Sequence, residues 1–357
     1  MKHLYVMHTQ YNLILATAML SRYPKEDEHI LVLYAEFTVT GEILKALEET
    51  FSRVIVVRDR FEKEGNYWQQ IRLTRKYLKS VKPLWNLSFA DVYLTQERLF
   101  DSILCQRIKR VNPKAKCYHL EEDVYYSVDN ARNQPNYSVP TSFQSECARL
   151  LRHILLAGYP YRDNEPHYCY GMSSMYDGVN LLFPAVARRE VQSKPLTEIH
   201  REGLVQGIFA LYGKRKIDYP PSAKYCVFFC DLINRYVNRE AVRQAISRLI
   251  KQAQNEGRQV LVKYHPRETE KLDDFPDLFE INKHIPAEKV LLDMLGKDVT
   301  VLGNATTACV VAAKLGYTVY SVCKLETPQN HAMHTALTQM GVHCIDNSQM
   351  EMLEESL

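Results

Sequence analysis

The sequence predicts an α/β protein built as two Rossmann-like domains facing across a cleft. Three observations carry this. Short apolar runs alternate with amphipathic stretches from Met1 to about Leu120, a second series of the same kind starts near Tyr225, and the charged stretch Gly213-Lys214-Arg215-Lys216-Ile217-Asp218-Tyr219-Pro220-Pro221 separates them. Strands spaced by helices of this length form βαβ units with a parallel sheet. A charged run that closes on Pro-Pro is a linker signal. The domains are therefore placed at 1–212 and 223–357, with 213–222 as the linker.

In the first half, strand 3–8 leads into a helix over about Tyr11–Tyr23, then strand Ile30–Tyr34 and a helix over Glu42–Phe51. Strand Val54–Val57 precedes a helix over about Trp68–Val81, which sets Ile71, Leu73, Tyr77 and Leu78 against a basic face. Strand Val92–Leu94, a helix over Phe100–Val111 and strand Cys117–Leu120 complete the series. Residues 129–142 read as a loop and Cys147–Leu156 as an amphipathic helix, followed by strand Val179–Phe183 and a helix over Leu196–Tyr212. In the second half, strand Tyr225–Cys230, a helix over Arg239–Gln254 and strand Gln259–Tyr264 come first. Asp274–Phe279 is turn-rich, and Pro286 opens a helix where its missing N–H costs little. Strand Val299–Leu302, a small apolar helix ending at Leu315-Gly316, strand Val319–Val322, a helix near Asn330–Met340, strand Val342–Ile345 and a terminal helix Met350–Leu357 finish the chain.

The composition is globular, with 46% hydrophobic and 24% charged residues in 357. The balance of 45 Lys+Arg against 42 Asp+Glu gives a net charge of +3, which implies no general field for polyanions and no nucleic-acid partner. The nine cysteines form no CxxC pair and several lie in apolar runs, so reduced, buried thiols are expected, with neither a disulfide framework nor a zinc site. The N-terminal apolar run is too short for a signal peptide, and no stretch nears the ~20 apolar residues that span a bilayer.

Candidate chemistry gathers where strands end. Val262-Lys263-Tyr264-His265-Pro266-Arg267 closes an apolar run on a proline, which puts His265 at a strand's carboxyl end. In open α/β sheets that edge binds ligands, and Lys263, His265 and Arg267 suit a phosphate or carboxylate; a solvated basic turn is the alternative. Gly303-Asn304-Ala305-Thr306-Thr307 joins a strand end to a helix start, offering hydroxyls and unpaired N–H groups to an anion or simply capping the helix. His265 and this turn belong to one domain and open on one edge. Asp231 ends the first strand of that domain. In the first domain, Glu121-Glu122-Asp123 ends a strand; mutual repulsion there suits one carboxylate to proton abstraction, and a solvated acidic turn is the plain alternative. The turn His8-Thr9-Gln10-Tyr11-Asn12 either caps a helix or touches substrate. No GxxxxGK[ST] or GxGxxG motif is present, which argues against P-loop NTPases and classical dinucleotide binding. Asp273-Asp274 sits without neighbouring ligands, so no metal is expected.

This series, an acidic pair at a strand end, Lys-x-His-Pro, a Pro-Ala-Glu helix start and a hydroxyl pair, resembles the bacterial sialyltransferases of glycosyltransferase family 52 and the related capsule polysialyltransferases. His8-Thr9 and Tyr11 after the first strand add to the resemblance. It spans most of the chain, though each motif is only two or three residues. The resemblance implies a GT-B fold and inverting, metal-independent transfer from CMP-sialic acid to a sugar hydroxyl, with no cofactor. Glu122 would be the general base, with Asp231 a rival. His265 would contact the CMP phosphate, Thr306 and Thr307 would hold it beside Gly303 and Asn304, and Glu288 would fall near the cytidine ribose. The glycine expected after the acidic pair is Asp123 here, which leaves the base open within Glu121–Asp123. Implied partners are a nucleotide-sugar donor and a glycan acceptor, on the cytoplasmic side and peripheral to an anionic membrane through basic helices such as Arg72–Lys79; a homodimer is left open. A transferase using another CMP- or CDP-activated donor, and a non-catalytic nucleotide- or sugar-binding protein, are the competing readings.

Overall fold

The computed structural model describes residues 1–57, 67–96, 99–122, 171–231, 239–272, 275, 278–304, 306–326 and 330–346. Asp123, Asp273-Asp274, the loop at 129–142 and the helices expected at Cys147–Leu156 and Met350–Leu357 lie outside the described residues. By contact, described residues 1–122 and 171–211 form one unit and 212–346 a second.

The first unit is a parallel sheet of β1 (Lys2–Met7), β2 (Glu28–Tyr34), β3 (Arg53–Val57), β4 (Asp91–Leu94), β5 (Lys116–Leu120), β6 (Gly178–Leu181) and β7 (Leu196–Glu198), in the order 3-2-1-4-5-6-7. Its central strands are apolar on both faces because helices cover both. On one face α3 (Tyr67–Ser80) and α4 (Leu99–Val111) bring Ile71, Tyr77, Leu78, Phe100, Ile103 and Leu104 onto Leu4, Val6, Ile30, Val32 and Val92. Helix α1 (Gln10–Leu20) is buried from Asn12 to Met19, with Thr9 and Asn12 forming a capping box at its start. Gly207 lets the later helix Arg201–Tyr212 approach it: a Cβ there would lie 2.5 Å from the Ile14 carbonyl oxygen.

Three expectations are corrected in this unit. The helix expected from Leu196 starts at Arg201, because Leu196–Glu198 adds a strand beside β6. The strand expected over Val179–Phe183 runs Gly178–Leu181. Cys105 and Cys117 are not reduced thiols but a disulfide: the inner face of α4 lays Cys105 on β5, with Cα atoms 6.7 Å apart. Cys226, Cys230, Cys309, Cys323 and Cys344 are free and buried, as expected.

The second unit repeats the design with β8 (Lys224–Cys230), β9 (Gln259–Tyr264), β10 (Phe279–Glu280), β11 (Asp298–Gly303), β12 (Thr318–Ser321) and β13 (Val342–Cys344), ordered 10-9-8-11-12-13. Strand β10, a two-residue edge beside β9, begins at Phe279, the last residue of the stretch read as turn-rich. The long helix Arg239–Asn255 buries Val242, Ala245, Ile246, Leu249, Ile250 and Ala253, the spacing of one helical face, against β8 and β9. Truncating Ile250 to alanine would cost about 2–5 kcal/mol. Both sheets reverse direction once, between β1 and β4 and between β8 and β11. Ligands of open α/β sheets bind at the carboxyl ends beside such reversals. Among the described residues, no helix is long and apolar enough to cross a membrane.

Candidate functional site

Each sheet presents chemistry at its own reversal. In the second unit, Phe229 of β8 pairs with Lys263 of β9 on one side and Gly303 of β11 on the other. The chain leaving each strand therefore places Asp231, His265 and Asn304 along one edge. The His265 N–H donates to the Cys230 carbonyl at 2.8 Å, which fixes the turn to β8. Asn304 is fully buried, and its Oδ1 accepts the Asp231 N–H at 3.1 Å, which ties β8 to β11. Gly303 is required where it stands, since a Cβ would lie 2.4 Å from the Cys309 Sγ.

The His265 ring is partly exposed, and its Nδ1 accepts the Arg267 N–H at 3.1 Å. With Nδ1 used as an acceptor, the proton of a neutral ring sits on Nε2, which makes Nε2 a donor. Arg267 contributes its backbone here, while its side chain is exposed. Thr306 caps the helix Thr307–Leu315 by position, with extended backbone, but its hydroxyl makes no capping bond and instead lies 3.7 Å from the Cys309 Sγ. Both threonines are partly exposed at the positive end of that helix dipole.

Lys263 and Glu288 lie deeper. Lys263 is buried, with Nζ 3.4 Å from the Tyr264 carbonyl and 3.5 Å from that of Lys283. Burial pulls its pKa down and the Glu288 carboxylate pulls it partly back. Glu288, on the helix Ala287–Asp293, is pushed up by burial, against its own backbone hydrogen bond and the Lys263 charge.

In the first unit the edge is acidic. Glu121 follows β5 and is buried; the Tyr11 hydroxyl donates to its Oε1 at 2.5 Å and the Leu182 N–H to its Oε2 at 3.0 Å. Glu122 is partly buried and accepts a hydrogen bond from the Gln96 side chain. The Asn12 amide reaches back to the Glu121 and Glu122 carbonyls at 3.4 and 3.5 Å. Both acids are engaged by the fold, Glu121 through the Tyr11 hydroxyl and the Leu182 N–H and Glu122 through the Gln96 amide.

Lys263, His265, Asp231, Gly303, Asn304, Thr306 and Thr307 share one sheet edge, and Glu288 couples to Lys263; Glu122 belongs to the other unit. Gln96 and Tyr176 were not anticipated from the sequence. The available signal was Thr95-Gln96 directly after the apolar strand Val92–Leu94, which marks β4's carboxyl end as polar. Among the described residues, no group of three or more His, Cys, Asp or Glu side chains is placed to hold a metal ion.

No protein-family model and no curated protein matches the chain. Solved structures do match in fold. The UDP-GlcNAc 2-epimerase from Neisseria meningitidis bound to UDP-GlcNAc aligns over 100% of this chain and 90% of its own, with TM-score 0.52 and 11% identity. The S. aureus MnaA-UDP structure aligns over 99% and 87%, with TM-score 0.54 and 11% identity. The glycotransferase of kitacinnamycin aligns over 99% and 93%, with TM-score 0.51 and 8% identity. The fold is that of the GT-B class, two parallel-sheet α/β domains.

Proposed function

We propose that the protein is an inverting, metal-independent glycosyltransferase that moves sialic acid from CMP-sialic acid to a hydroxyl of a bacterial surface glycan such as lipooligosaccharide, O-antigen or capsule. The observation that carries this reading is the convergence of Asp231, His265, Asn304 and the Thr306-Thr307 helix start at the strand-order reversal of the second sheet. That edge supplies donors: an Nε2–H, two hydroxyls and the first N–H groups of a helix. Such donors fit a phosphate, and they stabilise the leaving nucleotide most as its charge develops.

In this mechanism the acceptor hydroxyl gives its proton to Glu122 while its oxygen attacks the anomeric carbon. The bond to the phosphate oxygen breaks, and CMP departs with the electron pair. His265 donates to the phosphate, and Thr306 and Thr307 hold it. Buried Lys263 adds positive charge behind the edge, and Glu288 lies toward the ribose. Asp231 is the rival base. No cofactor takes part, and the protein works in the cytoplasm, peripheral to the inner face of the membrane.

The same grip would serve other nucleotides, and two fold neighbours hold UDP-GlcNAc or UDP, so UDP-GlcNAc belongs in the test as a competing donor. The experiment is acceptor-dependent CMP release from CMP-sialic acid with lactose or a galactose-terminated glycan, in chelator, comparing wild type with His265→Ala. Release that survives chelation and collapses in the variant is expected. Absence of release together with no thermal stabilisation by CMP would overturn the donor assignment.

A further inference from the structure

Gln96 is the second residue after β4, the strand that lies between β1 and β5, and its side chain sits beside the turn that follows β5. It is 2% exposed, a large polar side chain with almost no access to water. Burying an amide is costly unless the amide is hydrogen-bonded. Its Nε2 donates to the Glu122 Oε1, and its backbone carbonyl accepts the Tyr176 hydroxyl at 2.9 Å. Tyr176 is itself buried, so the segment carrying Gln96 is anchored from behind.

The arrangement treats the two acids differently. Glu121 has both carboxylate oxygens engaged by groups of the fold, the Tyr11 hydroxyl and the Leu182 N–H. The Glu122 Oε1 accepts from a neutral amide that cannot take its proton. A neutral donor of this kind orients a carboxylate and favours its ionised form without competing as a base.

We propose that Gln96 is the positioning residue for Glu122: its amide orients the Glu122 carboxylate as the working base. This inference rests on the glycosyltransferase reading for its catalytic half. Its structural half, the control of Glu122 by Gln96, stands by itself.

The test uses the full chain labelled with carboxyl-13C glutamate and compares wild type, Gln96→Met and Glu122→Gln. The methionine keeps length and removes the donor. The Glu122 signal is identified by its loss in the glutamine variant. In Gln96→Met the titration midpoint of that signal moves to higher pH, as loss of a donor to the charged form requires. An unmoved midpoint overturns the proposal. In parallel, CMP release is followed against pH. Gln96→Met is expected to lower kcat roughly ten- to a hundredfold, as small misplacements of a reacting group do, with the KM for CMP-sialic acid unchanged. The acid limb of the profile should move with the NMR midpoint. An unchanged kcat overturns the positioning role even where the midpoint moves. A midpoint that moves in Gln96→Met, when wild type itself releases no CMP from CMP-sialic acid, upholds the control of Glu122 and sinks the donor reading instead.

Discussion

The two sheets share a strand order and differ in the chemistry at their carboxyl ends. In the first unit the edge is made of proton acceptors, Glu121 and Glu122, held by the side chains of Tyr11 and Gln96. In the second the edge sets donors beside the single carboxylate of Asp231, and its framework is mostly backbone: the His265 N–H on the Cys230 carbonyl, the Arg267 N–H on the His265 ring, and one buried asparagine between strands. Under the proposed glycosyl transfer, the first edge would supply the base and the second would hold the anion. Variants on the two edges should therefore separate by readout. Glu122→Gln should cut turnover by roughly 10²–10⁴-fold, the usual contribution of a positioned base, while CMP still raises the melting temperature. His265→Ala should lose turnover and the CMP-induced stabilisation together. If Glu122→Gln also abolished stabilisation by CMP, the division between the edges would fail.

The second edge can also be broken sterically. Gly303→Ala puts a Cβ 2.4 Å from the Cys309 Sγ, inside the turn that positions Asn304. Overpacking of this kind costs about 1–3 kcal/mol. Adding Cys309→Ala removes the clashing sulfur and should recover part of the loss in urea unfolding. A double variant no more stable than Gly303→Ala would show that the glycine is needed for some other reason.

These contrasts bear on what could be read from the chain. The parallel sheets were legible because Val260-Leu261-Val262 and Tyr225–Cys230 are unbroken apolar runs stopped by Pro266 and Asp231. His265 and Gly303 could be placed on one edge because strand ends and their order follow from periodicity. The anchoring of Glu121 and Glu122 was not legible, because it depends on Leu182 and Gln96, which are distant in sequence and meet the turn only through strand register. Strand Leu196–Glu198 was hidden for a related reason. Its three residues continue a helical pattern in sequence, and only the open edge of β6 makes them a strand. The Cys105–Cys117 bond was missed because a buried free thiol and a half-cystine look alike in an apolar run.

The first unit combines its acidic edge with a basic outer face, which offers a smaller effect to test. Between Tyr67 and Ala90 the chain has no Asp or Glu, and Arg72, Arg75 and Lys79 on α3 are exposed. Each basic residue near an anionic bilayer contributes about 1 kcal/mol, and salt screens that attraction. Wild type should co-sediment with phosphatidylglycerol vesicles at low salt but not with phosphatidylcholine vesicles. The triple change of Arg72, Arg75 and Lys79 to Glu should abolish this while CMP release from CMP-sialic acid with a soluble acceptor persists. Equal binding by wild type and variant would detach the basic face from any membrane role.

The gentlest change is pH, and it acts at the amino edge of the first sheet, opposite the acids. His3 is fully buried, with Nε2 3.0 Å from Asp27 and Nδ1 3.0 Å from Asp91. Burial alone would lower its pKa, but hydrogen bonds and charge from Asp91 and Asp27 raise it above 6.5. The neighbouring His29 stacks at 5.2 Å and is pulled down to about 4 by burial and by the His3 charge. A raised histidine adds stability that is complete below its unfolded value and is lost as pH climbs through its folded value. A lowered one acts the other way: His29 holds full stability above 6.5 and gives it up as pH falls toward 4. The loss on His3→Ala in urea unfolding should therefore be larger at pH 6 than at pH 9, where the wild-type ring has already given up its proton. His29→Phe should instead reduce the decline of stability between pH 6.5 and 4. A His3→Ala loss that is constant across this range would mean that the ring is held as a neutral hydrogen-bonding group.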